Sequence, residues 1–129
     1  MTLGPRPSTA SIRVLTVDDQ AVFRRVARDV IDATPGFEAI GEAAGGDEGL
    51  EAVERLGPDL VLLDVRMPGM DGIEVAHRLA ARHPELVVVL ISIEERSDMP
   101  SASIDAIPLV RKQDFRPRLL RQLWGEYGH

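Results

Sequence analysis

Five side chains able to do chemistry stand where apolar runs end. Asp18 and Asp19 follow Ile12–Val17, Asp64 follows Leu60-Val61-Leu62-Leu63, Ser92 follows Leu86–Ile91, and Lys112 follows Ala106–Arg111. Such runs read as strands buried on both faces of a parallel sheet, and open α/β sheets build their sites at the carboxyl ends of the strands. Each aspartate alone reads better as a turn or helix-cap residue. Together in one pocket they would repel one another and raise one another's pKa, and a divalent cation resolves that conflict. Mg²⁺ suits the set best, with hard carboxylate oxygens completed by water and substrate oxygens, and no neighbouring His or Cys favours zinc. Asp64 is then a candidate nucleophile toward phosphorus, since aspartyl phosphate is an established kind of covalent intermediate. Ser92 offers a hydroxyl to a phosphoryl oxygen, and Lys112 offers a mobile point charge for phosphate.

The elements that must position these groups follow from periodicity. Ile12–Val17 is a strand. Gln20–Ala33 is a helix with Val22, Phe23, Val26, Val30 and Ile31 on its apolar face, stopped by Pro35-Gly36. Phe37–Ala43 is a weaker strand, followed by a helix from Gly45 to Leu56 that buries Leu50, Val53 and Leu56 and ends at Gly57-Pro58. After the Asp64 strand, Pro68-Gly69 and Asp71-Gly72 are turn chemistry. Asp71 then caps a helix through Arg82, with Ile73, Ala76, Leu79 and Ala80 inward. Glu94–Asp105 makes a poor fourth helix, with Pro100 inside it and serines crowding it. Ala106–Arg111 is the fifth strand, and the last helix runs from Asp114 to Trp124 with Phe115, Leu119, Leu123 and Trp124 as its stripe.

Five βα units imply an α/β fold, a doubly wound parallel sheet covered on both faces, with the flavodoxin-like strand order 2-1-3-4-5. Pro108 in the fifth strand agrees, because proline belongs on a sheet edge. In this order strands one and three are neighbours, which brings Asp18 and Asp19 beside Asp64. The expected organisation is a disordered tail over 1–10, one domain over 11–125 and a short tail over 126–129.

The chain has 129 residues, 44% of them apolar, which is enough for one domain with a sizeable core. Its 15 basic and 21 acidic side chains leave a net charge of −6, which argues against direct nucleic-acid binding. It has no cysteine, so disulfides and thiolate chemistry are excluded. No apolar stretch is long enough for a membrane span, and the first ten residues lack the apolar segment of a signal peptide, so a cytoplasmic protein is expected. His77, His83 and His129 lack metal-ligand spacing and are expected to be solvated. Arg24, Arg25 and Arg28 form a basic helix face, which is solvated or, as the less common case, a docking surface for a kinase.

Val17-Asp18-Asp19, Asp64 with Met67-Pro68-Gly69-Met70-Asp71-Gly72, Ser92 and Lys112 together resemble the receiver domain of bacterial two-component response regulators. The resemblance covers roughly residues 11 to 125. Its early part is most similar to receivers of LuxR-type regulators, without their DNA-binding domain. It implies that Asp64 accepts a phosphoryl group from a histidine kinase or phosphotransfer protein, and that Asp18, Asp19, Asp64 and the backbone carbonyl of Arg66 hold Mg²⁺. It also implies that Ser92 is the switch hydroxyl and that Lys112 pairs with the phosphoryl group. Catalysis is then confined to the protein's own phosphorylation and dephosphorylation. The implied output face lies over the weak fourth helix, the fifth strand and the last helix, where Ile104, Leu109, Phe115 and Trp124 are expected to serve a homodimer or a protein partner.

The chain departs from the family pattern at several points. Leu109 replaces the usual aromatic switch residue. Gln113 replaces the proline after the lysine, and a cis bond there would cost ~3 kcal/mol, so a trans peptide and a displaced Lys112 are expected. The segment between Ser92 and Lys112 is short, and Ile93 replaces a small residue and is expected to crowd the phosphorylation site. These departures motivate a second reading, a receiver fold acting as a phosphorylation-independent interaction module. An aspartate-nucleophile phosphatase would need an acidic residue where Arg66 stands, and a flavodoxin would need a phosphate-tolerant loop where Asp18-Asp19 stands.

Overall fold

All five residues of Leu60–Asp64 are buried, and this strand forms the middle of a five-stranded parallel sheet. The computed structural model describes residues 11–67, 69–93 and 107–128. In chain order the elements are β1 (Ile12–Val17), α1 (Ala21–Asp32), β2 (Phe37–Ala43), α2 (Gly46–Leu56), β3 (Leu60–Asp64), α3 (Gly72–Arg82), β4 (Val87–Ser92), β5 (Leu109–Arg111), a 3₁₀ turn (Lys112–Asp114) and α4 (Pro117–Tyr127). Between β3 and α3, Arg66–Met67 and Met70–Asp71 form a small antiparallel ladder. The main sheet has the order β2-β1-β3-β4-β5, as the alternation of elements predicts.

Successive side chains of a strand point to opposite faces, so the sheet carries two cores. On one face Leu15, Val17, Val61, Leu63 and Leu90 pack with Ala52 and Val53 of α2 and with Ile73, Val75, Ala76 and Leu79 of α3. On the other, Val14, Leu60, Leu62, Val89 and Ile91 pack with Phe23, Ala27 and Ile31 of α1 and with Leu120 and Leu123 of α4. Each fully buried aliphatic side chain contributes about 1.5–3 kcal/mol through removal from water. The β1–β2 ladder is regular except for one step: Val14 pairs with Ala39 but Leu15 pairs with Gly41, so Ile40 is an extra residue in β2.

Several expectations need correction. The buried face of α1 is Phe23, Ala27 and Ile31, at the i, i+4, i+8 spacing. Val22 and Val26 are 76% and 44% exposed, because α1 is turned so that Ala27 meets the sheet. In α3, Val75 is inward and Ala80 is exposed. β5 begins at Leu109, so Pro108 precedes it, and the Pro108 carbonyl accepts from Leu90 N at 2.9 Å. The last helix begins at Pro117, not Asp114, because Lys112–Asp114 closes a 3₁₀ turn first; it continues through Tyr127. Leu120 joins its buried stripe, while Phe115 lies before the helix and is buried in the core. The expected output face therefore lacks Phe115, Leu109 and Trp124 are half-buried, and the expected fourth helix with Ile104 lies outside the described residues. His83 is engaged rather than solvated, its Nε2 lying 2.8 Å from Glu54 Oε2. Among the described residues no helix is long and apolar enough to cross a membrane.

Candidate functional site

The carboxyl ends of β1 and β3 carry the acidic residues side by side. Val17 pairs with Leu63, which puts Asp18 and Asp64 at the same level of adjacent strands. One carboxylate oxygen from each of Asp18, Asp19 and Asp64 lies within 4.8 Å of the others. Asp18 is fully buried, Asp64 is buried, and Asp19 is exposed, so the cluster has a closed floor and one open side.

The loop backbone shapes this floor. Asp18 Oδ1 accepts from Gln20 N at 2.8 Å, and Asp64 Oδ1 accepts a longer bond from Arg66 N at 3.4 Å. Asp18 N donates to Ala43 O at 3.0 Å, and the Asp18 carbonyl accepts from Arg24 Nη1 at 2.6 Å. Arg24 is in turn held by Glu42, 3.3 Å from its Nε, and Arg28 meets the same carboxylate at 2.8 Å. Two members of the basic helix face thus brace the β1–α1 loop.

Lys112 supplies the cation. Its Nζ lies 2.7 Å from Asp18 Oδ2 and 3.7 Å from Asp64 Oδ2. The peptides among the described residues are trans, yet Lys112 is not displaced. The 3₁₀ turn, closed by Phe115 N donating to Lys112 O at 3.2 Å, holds its backbone against the site. The contact with Asp18 is an ion pair without directed hydrogen bonding: Asp18 Oδ2 is buried and, among the described residues, has no donor in hydrogen-bond geometry. A charged oxygen so placed is under-satisfied, and one ammonium faces three carboxylates. Asp64 shows the imbalance, its pKa raised from 3.8 to about 7, first by burial and then by the charge of Asp18, against the lowering effect of Lys112.

This donor set fits a hard divalent cation. It offers carboxylate oxygens only, an unsatisfied one among them, with an exposed side for water and substrate oxygens. Ser92 closes β4 one register step past Ile91, the partner of Asp64, and is buried at the same end of the sheet. Ile93 is 71% exposed, so it points away from the packed interior rather than into the site floor. Arg66 stands on the small ladder directly after the Asp64 turn, opposite Asp71.

Two further residues shape the site and were not singled out for it from sequence. Gly72 opens α3 directly against β3: its N–H donates to Val65 O at 2.9 Å, and a Cβ there would collide with the Asp64 carbonyl oxygen and lie 2.9 Å from the Asp64 carbonyl carbon. The Asp71-Gly72 pair signalled a turn, but the stronger demand is for close backbone approach. Glu42 carried no signal, since its role depends on the register of β2.

Comparison with known proteins places this geometry among relatives. A family model described as "Response regulator receiver domain" matches residues 14–114. A protein-glutamate methylesterase/protein-glutamine glutaminase of Alkalilimnicola ehrlichii is 33% identical over 115 residues, which are 89% of this chain and 29% of that protein. Response regulator GacA of Pseudomonas viridiflava is 36% identical over 95 residues, 74% of this chain and 44% of that protein. The chain thus spans less than half the length of these relatives. Among solved structures, the signal receiver domain of the putative response regulator NarL from Mycobacterium tuberculosis superposes with a TM-score of 0.80 at 27% identity, covering 92% of this chain and 97% of that one. The response regulator domain of Thermotoga maritima CheB gives 0.75 at 28% identity, covering 89% and 95%.

Proposed function

The chain belongs to the response regulator receiver domain family of two-component signalling, and from that premise we propose that it is a phosphorylation-regulated receiver with Asp64 as its phosphoacceptor. The observation that carries the reading is the joint placement of Asp18, Asp19 and Asp64 around one point with the Lys112 ammonium against them. The donor is a histidine kinase or a phosphotransfer protein carrying phosphohistidine, in the cytoplasm.

The Asp64 carboxylate attacks phosphorus in line. A P–O bond forms to Asp64, the P–N bond of the phosphohistidine breaks, and the departing imidazole keeps the electron pair and takes up a proton from water. Lys112, already 3.7 Å from Asp64 Oδ2, neutralises charge arriving on the phosphoryl oxygens. Ser92 offers its hydroxyl to one of those oxygens. Asp18, Asp19, Asp64 and the carbonyl of Arg66 would hold Mg²⁺, which supplies charge neutralisation at the transferring group. The chemistry acts on the protein's own side chain, and the output is a change in self-association or in a protein partner at the face around β5 and α4, without direct nucleic-acid contact.

The test is intact-mass analysis after incubation with acetyl phosphate and Mg²⁺. A single phosphoryl adduct present in the wild type, absent in Asp64→Ala and absent with chelator is expected. A wild type that takes up no phosphoryl group, and shows no spectral change with beryllofluoride, overturns the reading and leaves a phosphorylation-independent interaction module.

A further inference from the structure

A lysine side chain has four rotatable methylenes and a compact charge, so its backbone position alone does not place its ammonium. The 3₁₀ turn fixes the Lys112 backbone. Among the described residues three groups meet the ammonium: Asp18 Oδ2 at 2.7 Å, Asp64 Oδ2 at 3.7 Å, and the ring of Phe23, whose centroid lies 5.0 Å from Nζ. The two carboxylates belong to the acidic cluster, and their availability changes when a divalent cation or a phosphoryl group arrives. The ring does not titrate and competes for no cation.

Phe23 is itself firmly seated. It lies on α1 above Ala27 and Ile31 and is 7% exposed. Its ring packs against Phe115 with centroids 6.3 Å apart and planes tilted by 54°. Phe115 is the residue that closes the Lys112 turn through its backbone N–H. One ring therefore contacts both the charged tip of Lys112 and the anchor of the turn that carries it. We propose that Phe23 is a positioning residue for Lys112: its ring face seats the ammonium where it reaches Asp18 and Asp64, and holds it there when the carboxylates are otherwise engaged. In this chain that seat replaces the backbone constraint that a proline at position 113 would supply.

The proposal rests on the receiver reading for its effect on rate, but not for its structural content, and the experiment separates the two. Phe23→Leu keeps an apolar side chain and removes the π face; Phe23→Tyr keeps both. In the metal-free full chain, the Lys112 methylene protons beside the ammonium are expected upfield in wild type and Phe23→Tyr, and at ordinary lysine shifts in Phe23→Leu. With acetyl phosphate and Mg²⁺, Phe23→Leu is expected to phosphorylate roughly three- to tenfold more slowly, as for loss of a largely desolvated cation–π contact, with Phe23→Tyr close to wild type. In a Lys112→Met background, Phe23→Leu should slow the reaction no further, whereas a merely structural role would slow both backgrounds alike. Ordinary Lys112 shifts in the wild type, or an equal slowing in both backgrounds, overturns the proposal. Should Phe23→Leu fail to fold, the wild-type and Phe23→Tyr shifts decide it alone. Should the wild type take up no phosphoryl group, the receiver reading fails while the shifts still decide where Lys112 sits.

Discussion

Asp64→Asn is expected to stabilise the metal-free protein by an amount that grows as pH rises from about 4 to about 7 and then levels off. In the folded chain the Asp64 carboxyl titrates at about 7 instead of 3.8, because it is buried and faces Asp18. A folded-state pKa above the unfolded one means that between these values the native protein holds a proton that the unfolded chain has released. Stability therefore falls as pH rises through that window. The span is roughly three decades of proton affinity, and at ~1.4 kcal/mol per decade it amounts to on the order of 4 kcal/mol. Asparagine has nearly the same shape as the protonated carboxyl and no charge. Urea unfolding with chelator present should thus give nearly equal stabilities for wild type and Asp64→Asn at about pH 4, and a gap approaching that 4 kcal/mol at about pH 8. Adding Mg²⁺ at about pH 8 should close much of the gap, since an ion bound only by the native state stabilises it. A gap that does not change with pH would refute the reasoning, because burial and the Asp18 charge would then not govern this carboxyl.

Three other outcomes follow from the same geometry. Lys112→Met leaves the fully buried Asp18 carboxylate without its cation and should cost about 3 kcal/mol in chelator, less with Mg²⁺ present; equal losses in both conditions would count against a cation at this site. Gly72→Ala drives a methyl group into the backbone of Asp64 and should cost about 3 kcal/mol, as overpacking against unyielding atoms does, and a melting temperature within a degree or two of wild type would contradict the contact. Asp71→Ala removes the acceptor for Ile73 N, 2.9 Å away at the start of α3, and should cost about 1 kcal/mol in urea unfolding.

β1, β3 and β4 were legible because they are apolar runs with clear stops, and the strand order followed from five βα units, whereas β5 is shorter than its apolar run suggested. The acidic cluster was legible for the same reason: once β1 and β3 are neighbours, aspartates closing both must meet. Helix facing was less legible. Hydropathy favours Val22 and Val26 over Ala27, yet the sheet accepts Ala27, where a small side chain lets α1 approach closely. Pro117 suits the first turn of a helix and opens α4, whereas from sequence this helix was expected to start at Asp114, because the intervening 3₁₀ turn has no marked sequence signature. Lys112 was expected to drift without a proline beside it; a local turn closed by Phe115 holds its backbone, and the packing of Phe115 on Phe23 and the ion pair with Asp18, which steady it further, join residues far apart in sequence. Ser92 lies buried at the carboxyl end of β4 and Arg66 on the small ladder after β3, while the roles proposed for them rest on the family resemblance.

The extra residue Ile40 in β2 acts as a half-period phase shift. Before it, Phe37 and Ala39 face α1; a regular ladder would turn Glu42 toward α2. Because Ile40 is inserted, Glu42 comes level with Thr16 and points to the α1 side, where it meets Arg24 and Arg28. Arg24 in turn grips the Asp18 carbonyl. Were β2 to pair with β1 regularly while keeping Ile40, Glu42 would come level with Val17 and turn to the α2 side, and a change of register on an edge strand, far from any carboxylate of the cluster, would release the arginine that grips the loop carrying Asp18.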